Sequence, residues 1–172
     1  MSKLIAISIV LCVASVASGI GVGVSAHYDI SVPTRDFTDY YGTSFLGLDL
    51  GVEITVFPKY LILSAGLGFQ SFENKEYGHE GERVSVTPVS LGFEYPLALG
   101  RTVVCIGAGG ALFFEHTETG LGGFPSLWAG TDLYYTVTPD LDFGAGVKYH
   151  FDCSGAGAGM ICIPVGVKYW FI

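Results

Sequence analysis

The chain is short of charge, shorter still of basic residues, and has no long apolar run beyond its first residues. Only 14% of its 172 residues are charged, with 8 Lys+Arg against 16 Asp+Glu, where soluble domains carry roughly 25%. That shortage excludes an ordinary soluble domain. The shortage of bases argues against nucleic acid as a partner, because phosphates need Lys and Arg to displace their counterions. After the N-terminus no stretch reaches the roughly 18 uninterrupted apolar residues of a membrane helix, and 25 glycines suit a membrane-helix bundle poorly. What remains is a chain that is half apolar and 14% aromatic, of a length that fits one domain.

Residues 1–18 have the plan of a secretory signal peptide: Lys3, an apolar run from Leu4 to Val13 broken by Ser8, then small residues through Ser18. The run is short for a span of about 20 residues, so cleavage after Ser18 is expected, leaving 19–172 as a single domain. Val10-Leu11 before Cys12 lack the small residues of a lipidation site. Cleavage removes one base, Lys3, and no acid, so the net charge of −8 becomes −9. Export would place the chain where disulfides are permitted.

The rest alternates with period two, which sends successive side chains to opposite faces of a strand. Alternation predicts eight strands, at 19–30, 46–56, 61–70, 84–95, 102–114, 127–137, 141–152 and 161–171. In the second, Leu46, Leu48, Leu50, Val52, Ile54 and Val56 oppose Gly47, Asp49, Gly51, Glu53 and Thr55. The fourth changes parity between Pro88 and Val89, which predicts a bulge there, and Pro164 weighs mildly against the last strand, since proline lacks the ladder donor. The face opposite the aliphatic one is mostly Gly with scattered charges. That makes a poor solvated exterior but a good lining for a narrow lumen, and the aliphatic face makes a lipid-facing wall. In lipid, strands satisfy their backbone only as a closed barrel. The fold expected is all-β, an eight-stranded antiparallel up-and-down transmembrane barrel. Connections alternate between short (58–59, 96–100, 138–140) and long (33–42, 73–83, 115–126, 153–159), as periplasmic turns and outer loops do. Tyr28, Phe57, Tyr60, Tyr95, Tyr135, Tyr169 and Phe171 fall near strand ends, where aromatic girdles sit.

With these strands and the ending Ile163-Pro164-Val165-Gly166-Val167-Lys168-Tyr169-Trp170-Phe171-Ile172, the chain resembles the bacterial outer-membrane β-barrel superfamily, in its small eight-stranded form typified by the OmpA transmembrane domain and OmpX. The resemblance covers the whole of 19–172. It implies residence in the outer membrane among lipid and lipopolysaccharide, and insertion by the barrel-assembly machinery. Tyr169 and Phe171 then stand in the insertion signal, although Ile172 follows where the group tends to end on an aromatic. Barrels of this kind serve many roles.

The Gly-x-Gly patterns, such as Gly107-Ala108-Gly109, have no helix to open and are read as lumen lining; no cofactor is expected. Asp29, Asp49, Glu53, Glu94 and Asp132 share the inward face with His27, Lys148, His150 and Lys168. Unpaired charge in a narrow lumen is costly, so a structural ion network is expected there. The alternative is a narrow passive pore for small solutes or cations.

His150-Phe151-Asp152 superficially resembles the His-x-Ser motif of the outer-membrane lipid A deacylase. Asp152 stands in the Ser position and no Glu follows, so an enzyme is not expected and a lipid-modifying barrel is the remotest reading. Cys153 and Cys162 flank the last long loop and are the candidate disulfide, with Cys105 left over. His150, Cys153 and Cys162 lack zinc spacing, and no metal is expected. The long loops hold Asp36, Asp39, Glu73, Glu76, Glu80, Glu82, Glu115 and Glu118 against Arg35, Lys75 and Arg83. Phe37, Tyr40 and Tyr41 make the first loop the best candidate for surface or host ligands, because aromatics are enriched at interfaces. The expected role is structural or surface interaction.

Overall fold

The computed structural model describes residues 21–56, 61–75, 81–117, 120–154 and 158–171. The expected signal segment 1–18, the turn at 58–59, the girdle candidates Phe57 and Tyr60, and Ile172 lie outside them. Strands β1 (Val22–Thr34), β2 (Leu46–Val56), β3 (Leu61–Glu73), β4 (Arg83–Leu99), β5 (Thr102–Thr117), β6 (Gly120–Thr138), β7 (Leu141–Asp152) and β8 (Gly159–Phe171) pair antiparallel in sequence order. β1 closes on β8, from Val22↔Phe171 to Thr34↔Gly159, so the sheet has no free side. A one-turn helix, α1 (Phe37–Tyr40), lies in the first loop.

The outer wall is aliphatic and aromatic. Leu50, Leu91, Ile106, Leu127, Leu133 and Val147 all point outward and stand open on the isolated chain. A soluble protein rarely exposes an apolar surface larger than a few hundred Å², so this wall suits lipid and not water. On β4 it runs from Val89 to Leu99, about 33 Å along the strand at roughly 3.3 Å per residue. Tilted by about 40°, that becomes a band roughly 25 Å tall, the height usual for transmembrane barrels. Tyr95, Tyr135, Tyr169 and Phe171 ring the turn end. Tyr28 and Phe69, both opposite Leu48, mark the loop end of their ladders.

The fourth strand has no bulge. Its pairing with β5 keeps one register from Ser85↔His116 to Leu99↔Thr102. The parity change is a change of solvent. Below Pro88 the apolar residues Val89, Leu91 and Phe93 point outward and are exposed; above it Val84 and Val86 turn inward and are buried. The outer face there carries Ser85 and Thr87, with Thr87 Oγ1 3.2 Å from His116 Nε2. This inversion is the pattern of a strand that passes from an apolar to an aqueous surrounding, where apolar residues belong inside. Pro88 and Pro164 each leave a gap in one ladder, β3–β4 and β7–β8, without shifting the register.

The same continuation corrects three connections. Residues 115–117 and 120–126 extend β5 and β6, with Thr117↔Gly120 paired. Residues 96–99 belong to β4, leaving Gly100-Arg101 as the turn, with Gly100 at φ +68°, a backbone region glycine adopts freely. Pro33 belongs to β1 and pairs with Met160.

Candidate functional site

Every inward residue named from the sequence lies on the lumen face, and the structure shows which of them meet. Lys168 Nζ stands 3.0 Å from Glu53 Oε2 and 3.0 Å from Glu94 Oε2, and all three side chains are buried. The ammonium donates to Glu94, while Glu53 Oε2 lies at ion-pair distance but outside hydrogen-bond geometry. The Tyr134 ring lies 4.3 Å from Lys168 Nζ, near enough for a cation–π contact. Lys148 Nζ stands 3.7 Å from Asp132 Oδ2 and 5.1 Å from the Trp128 ring. Asp29, Asp49 and Lys148 line one cavity. His27, which binds Tyr134 OH at 3.2 Å through Nε2, joins the group.

Two apolar clusters bracket these charges. Ile62, Cys105 and Tyr134 are buried toward the turn end, packed by Val103 and Trp170. Toward the loop end stands a larger cluster of Phe72, Val84, Val86, Ala111, Phe113, Trp128, Met160 and Cys162, joined by Tyr41 and Phe124. Large inward side chains fit because nearby strands, adjacent or next but one, offer glycine. A Cβ at Gly92 would run into the Trp128 indole, and one at Gly144 would meet Tyr134. Between the clusters is a cavity of about 60 Å³ lined by His27, Asp29, Asp49, Lys148, His150 and other lumen residues. It has room for a few water molecules at roughly 10–15 Å³ each.

His150 Nδ1 is buried without a hydrogen-bond partner, and its ring packs edge-on against Phe113 at 5.2 Å. Asp152 is engaged by Ser154, through N at 2.8 Å and Oγ at 2.5 Å. The candidate disulfide is not formed. Cys162 faces the lumen, 3.3 Å from Ser31 Oγ, whereas Cys153 is exposed at the rim with its thiol toward Phe151 O. Strand parity turns Cys162 inward. Among the described residues no three His, Cys, Asp or Glu side chains converge as a metal-ligand set. Tyr169 and Phe171 pack edge to face, 5.2 Å apart, on the outer wall at the end of β8.

A feature only half legible in the sequence lies at the loop end. The first-loop aromatics are gathered by contacts to distant strands. Gly42 N bonds Glu73 O, Lys75 N bonds Tyr40 O, and Ser31 and Ser44 exchange backbone bonds. Phe37 packs on Tyr41 at 4.9 Å and edge-on to Phe124 at 5.2 Å; Phe124 stacks on Phe113 at 5.0 Å. The Tyr41 hydroxyl donates to Glu115 Oε1 at 2.7 Å. The result is a cup of about 190 Å³ lined by Asp36, Phe37, Tyr40, Tyr41, Glu115, Phe124, Asp152, Ser154 and Ala158. The sequence pointed to Phe37, Tyr40 and Tyr41; Phe124 lay in an expected loop and carried no signal.

No protein-family model and no curated protein matches the chain. Solved structures do. Neisserial surface protein A superposes with a TM-score of 0.64 at 14% identity, over 88% of this chain and 96% of that one. A major outer membrane protein from Thermus thermophilus gives 0.64 at 14%, over 88% and 99%. Ail, the attachment invasion locus protein of Yersinia pestis, in complex with the heparin analogue sucrose octasulfate, gives 0.55 at 15%, over 88% and 98%. At such identities the likeness is one of fold. The chain has the fold of the small eight-stranded outer-membrane β-barrels.

Proposed function

We propose that the chain is an outer-membrane protein whose lumen is a structural core and whose working surface is the loop end. In this reading residues 1–18 are removed on export, lipid and lipopolysaccharide surround the apolar wall, and the barrel-assembly machinery reads β8 through Tyr169 and Phe171. The observation that carries it is the filling of the lumen: Lys168 clamped by Glu53 and Glu94, with buried apolar clusters on either side. A barrel packed in this way serves as an anchor for what its loops present. The acidic loop end also narrows the partner. Ail has been captured with a sulfated polyanion, but the carboxylates of Asp36, Glu115 and Asp152 around the cup repel such a ligand and favour a cationic or neutral one.

A passive pore is the second reading, favoured by the surplus of carboxylates around the central cavity. Planar-bilayer recording on refolded protein separates the two. The structural reading expects no unitary current steps; reproducible cation-selective steps would make the pore the function.

A further inference from the structure

The loop-end cup combines two recognition chemistries. Phe37, Tyr40, Tyr41 and Phe124 supply aromatic surface from the first loop and from β6, and Asp36, Glu115 and Asp152 supply negative charge. Among the described residues lining it there is no Lys, Arg or His. Two of the carboxylates are held in place: Glu115 by the Tyr41 hydroxyl and Asp152 by Ser154. At about 190 Å³ the cup is smaller than the roughly 300–1,000 Å³ of sites that enclose a whole drug-sized ligand, so it fits a headgroup. Aromatic faces with nearby carboxylates attract a diffuse organic cation, whose charge the ring quadrupoles stabilise while its methyl groups are taken out of water. A small inorganic cation would give up more hydration than the rings return, and an anion would be repelled.

We propose that this cup is a binding site for an alkylated ammonium group, either free in solution or carried as the headgroup of a larger molecule. The inference rests on the loop end being the working surface, and it adds the ligand class.

The test uses the refolded full-length barrel in a non-ionic glucoside detergent, with ring resonances assigned by NMR. Choline should shift the Tyr40 and Phe124 ring signals saturably. Its neutral carbon isostere, 3,3-dimethylbutan-1-ol, should bind about tenfold more weakly, the loss of roughly 1.4 kcal/mol that a partly desolvated cation–π contact supplies. Glu115→Gln keeps an acceptor for Tyr41 but removes the charge, and should weaken choline several-fold. Tyr40→Ala, at an exposed position, should weaken it further without changing the folded band on a heat-modifiability gel. Competition by phosphocholine vesicles as strong as that by free choline would identify a headgroup as a carrier of the group, whereas displacement by choline alone would identify the free solute.

Absence of a saturable shift, or equal binding of the neutral isostere, overturns the proposal. Either result is distinct from failure of the structural reading, which shows as bilayer current whatever choline does.

Discussion

Lys168 reaches across the lumen to Glu94, a residue 74 positions earlier, and donates to its carboxylate at 3.0 Å. Glu53 takes the other side of the same ammonium. Three strands, β2, β4 and β8, are thereby tied through one cation. Removing one partner of a buried pair typically costs about 3–5 kcal/mol, because the remaining charge is stranded. Lys168→Met should therefore lower unfolding stability by about that amount. The triple variant with Glu53→Gln and Glu94→Gln should recover much of the loss. Urea unfolding in detergent, followed by tryptophan fluorescence, measures both; a triple variant no better than the single one would show that stranded charge is not the cause.

Trp128 depends on the glycine beside it. Gly92→Ala places a methyl group where the indole lies, and overpacking of this kind costs about 1–3 kcal/mol. The same change should alter the near-ultraviolet circular dichroism, since Trp128 must leave its rotamer. An unchanged spectrum with unchanged stability would mean that the indole is not seated on Gly92.

The three cysteines of 19–172 should separate by exposure. With Cys153 exposed and Cys105 and Cys162 buried, a maleimide applied to the folded barrel without reductant should add one label. After unfolding it should add three, still without reductant. A single adduct on the unfolded, unreduced chain would reveal a disulfide.

Ser85 and Leu91, on either side of Pro88, should differ in membrane depth. A nitroxide on Ser85→Cys should be relaxed by a water-soluble nickel chelate, and one on Leu91→Cys by oxygen dissolved in lipid. Both sites in a Cys153→Ser, Cys105→Ala, Cys162→Ala background face outward, so parity cannot produce the contrast. Equal lipid exposure at both sites would place the boundary elsewhere.

Emptying the loop-end cluster should cost stability as a soluble core does. Phe113 is 1% exposed, and Phe→Ala in a packed interior costs about 3–5 kcal/mol. Thermal gel shift and urea unfolding of Phe113→Ala measure it; a loss below about 1 kcal/mol would mean that the cluster is loosely packed.

The barrel was legible because lipid and lumen impose opposite chemistries on adjacent residues. Leu48 against Asp49 and Val167 against Lys168 reveal a two-faced strand with no knowledge of neighbours. Period-two patterning misleads where the buried face inverts along a single strand. Val84 and Val86 looked like a slipped outer face, and Phe124 like loop, because alternation records which face is apolar and not what lies beyond it.

The sequence alone determined the strand count, the closed antiparallel wall and the inward set of charges, since each follows from period-two patterning under the demand that lipid leave no backbone group unpaired. Tertiary structure decided the rest. It set Lys168 between Glu53 and Glu94, turned Cys162 away from Cys153, and carried Phe124 onto Phe37 to build the cup. Those relationships depend on the stagger by which β1 meets β8 and on strands running past the membrane, distances that no local pattern encodes.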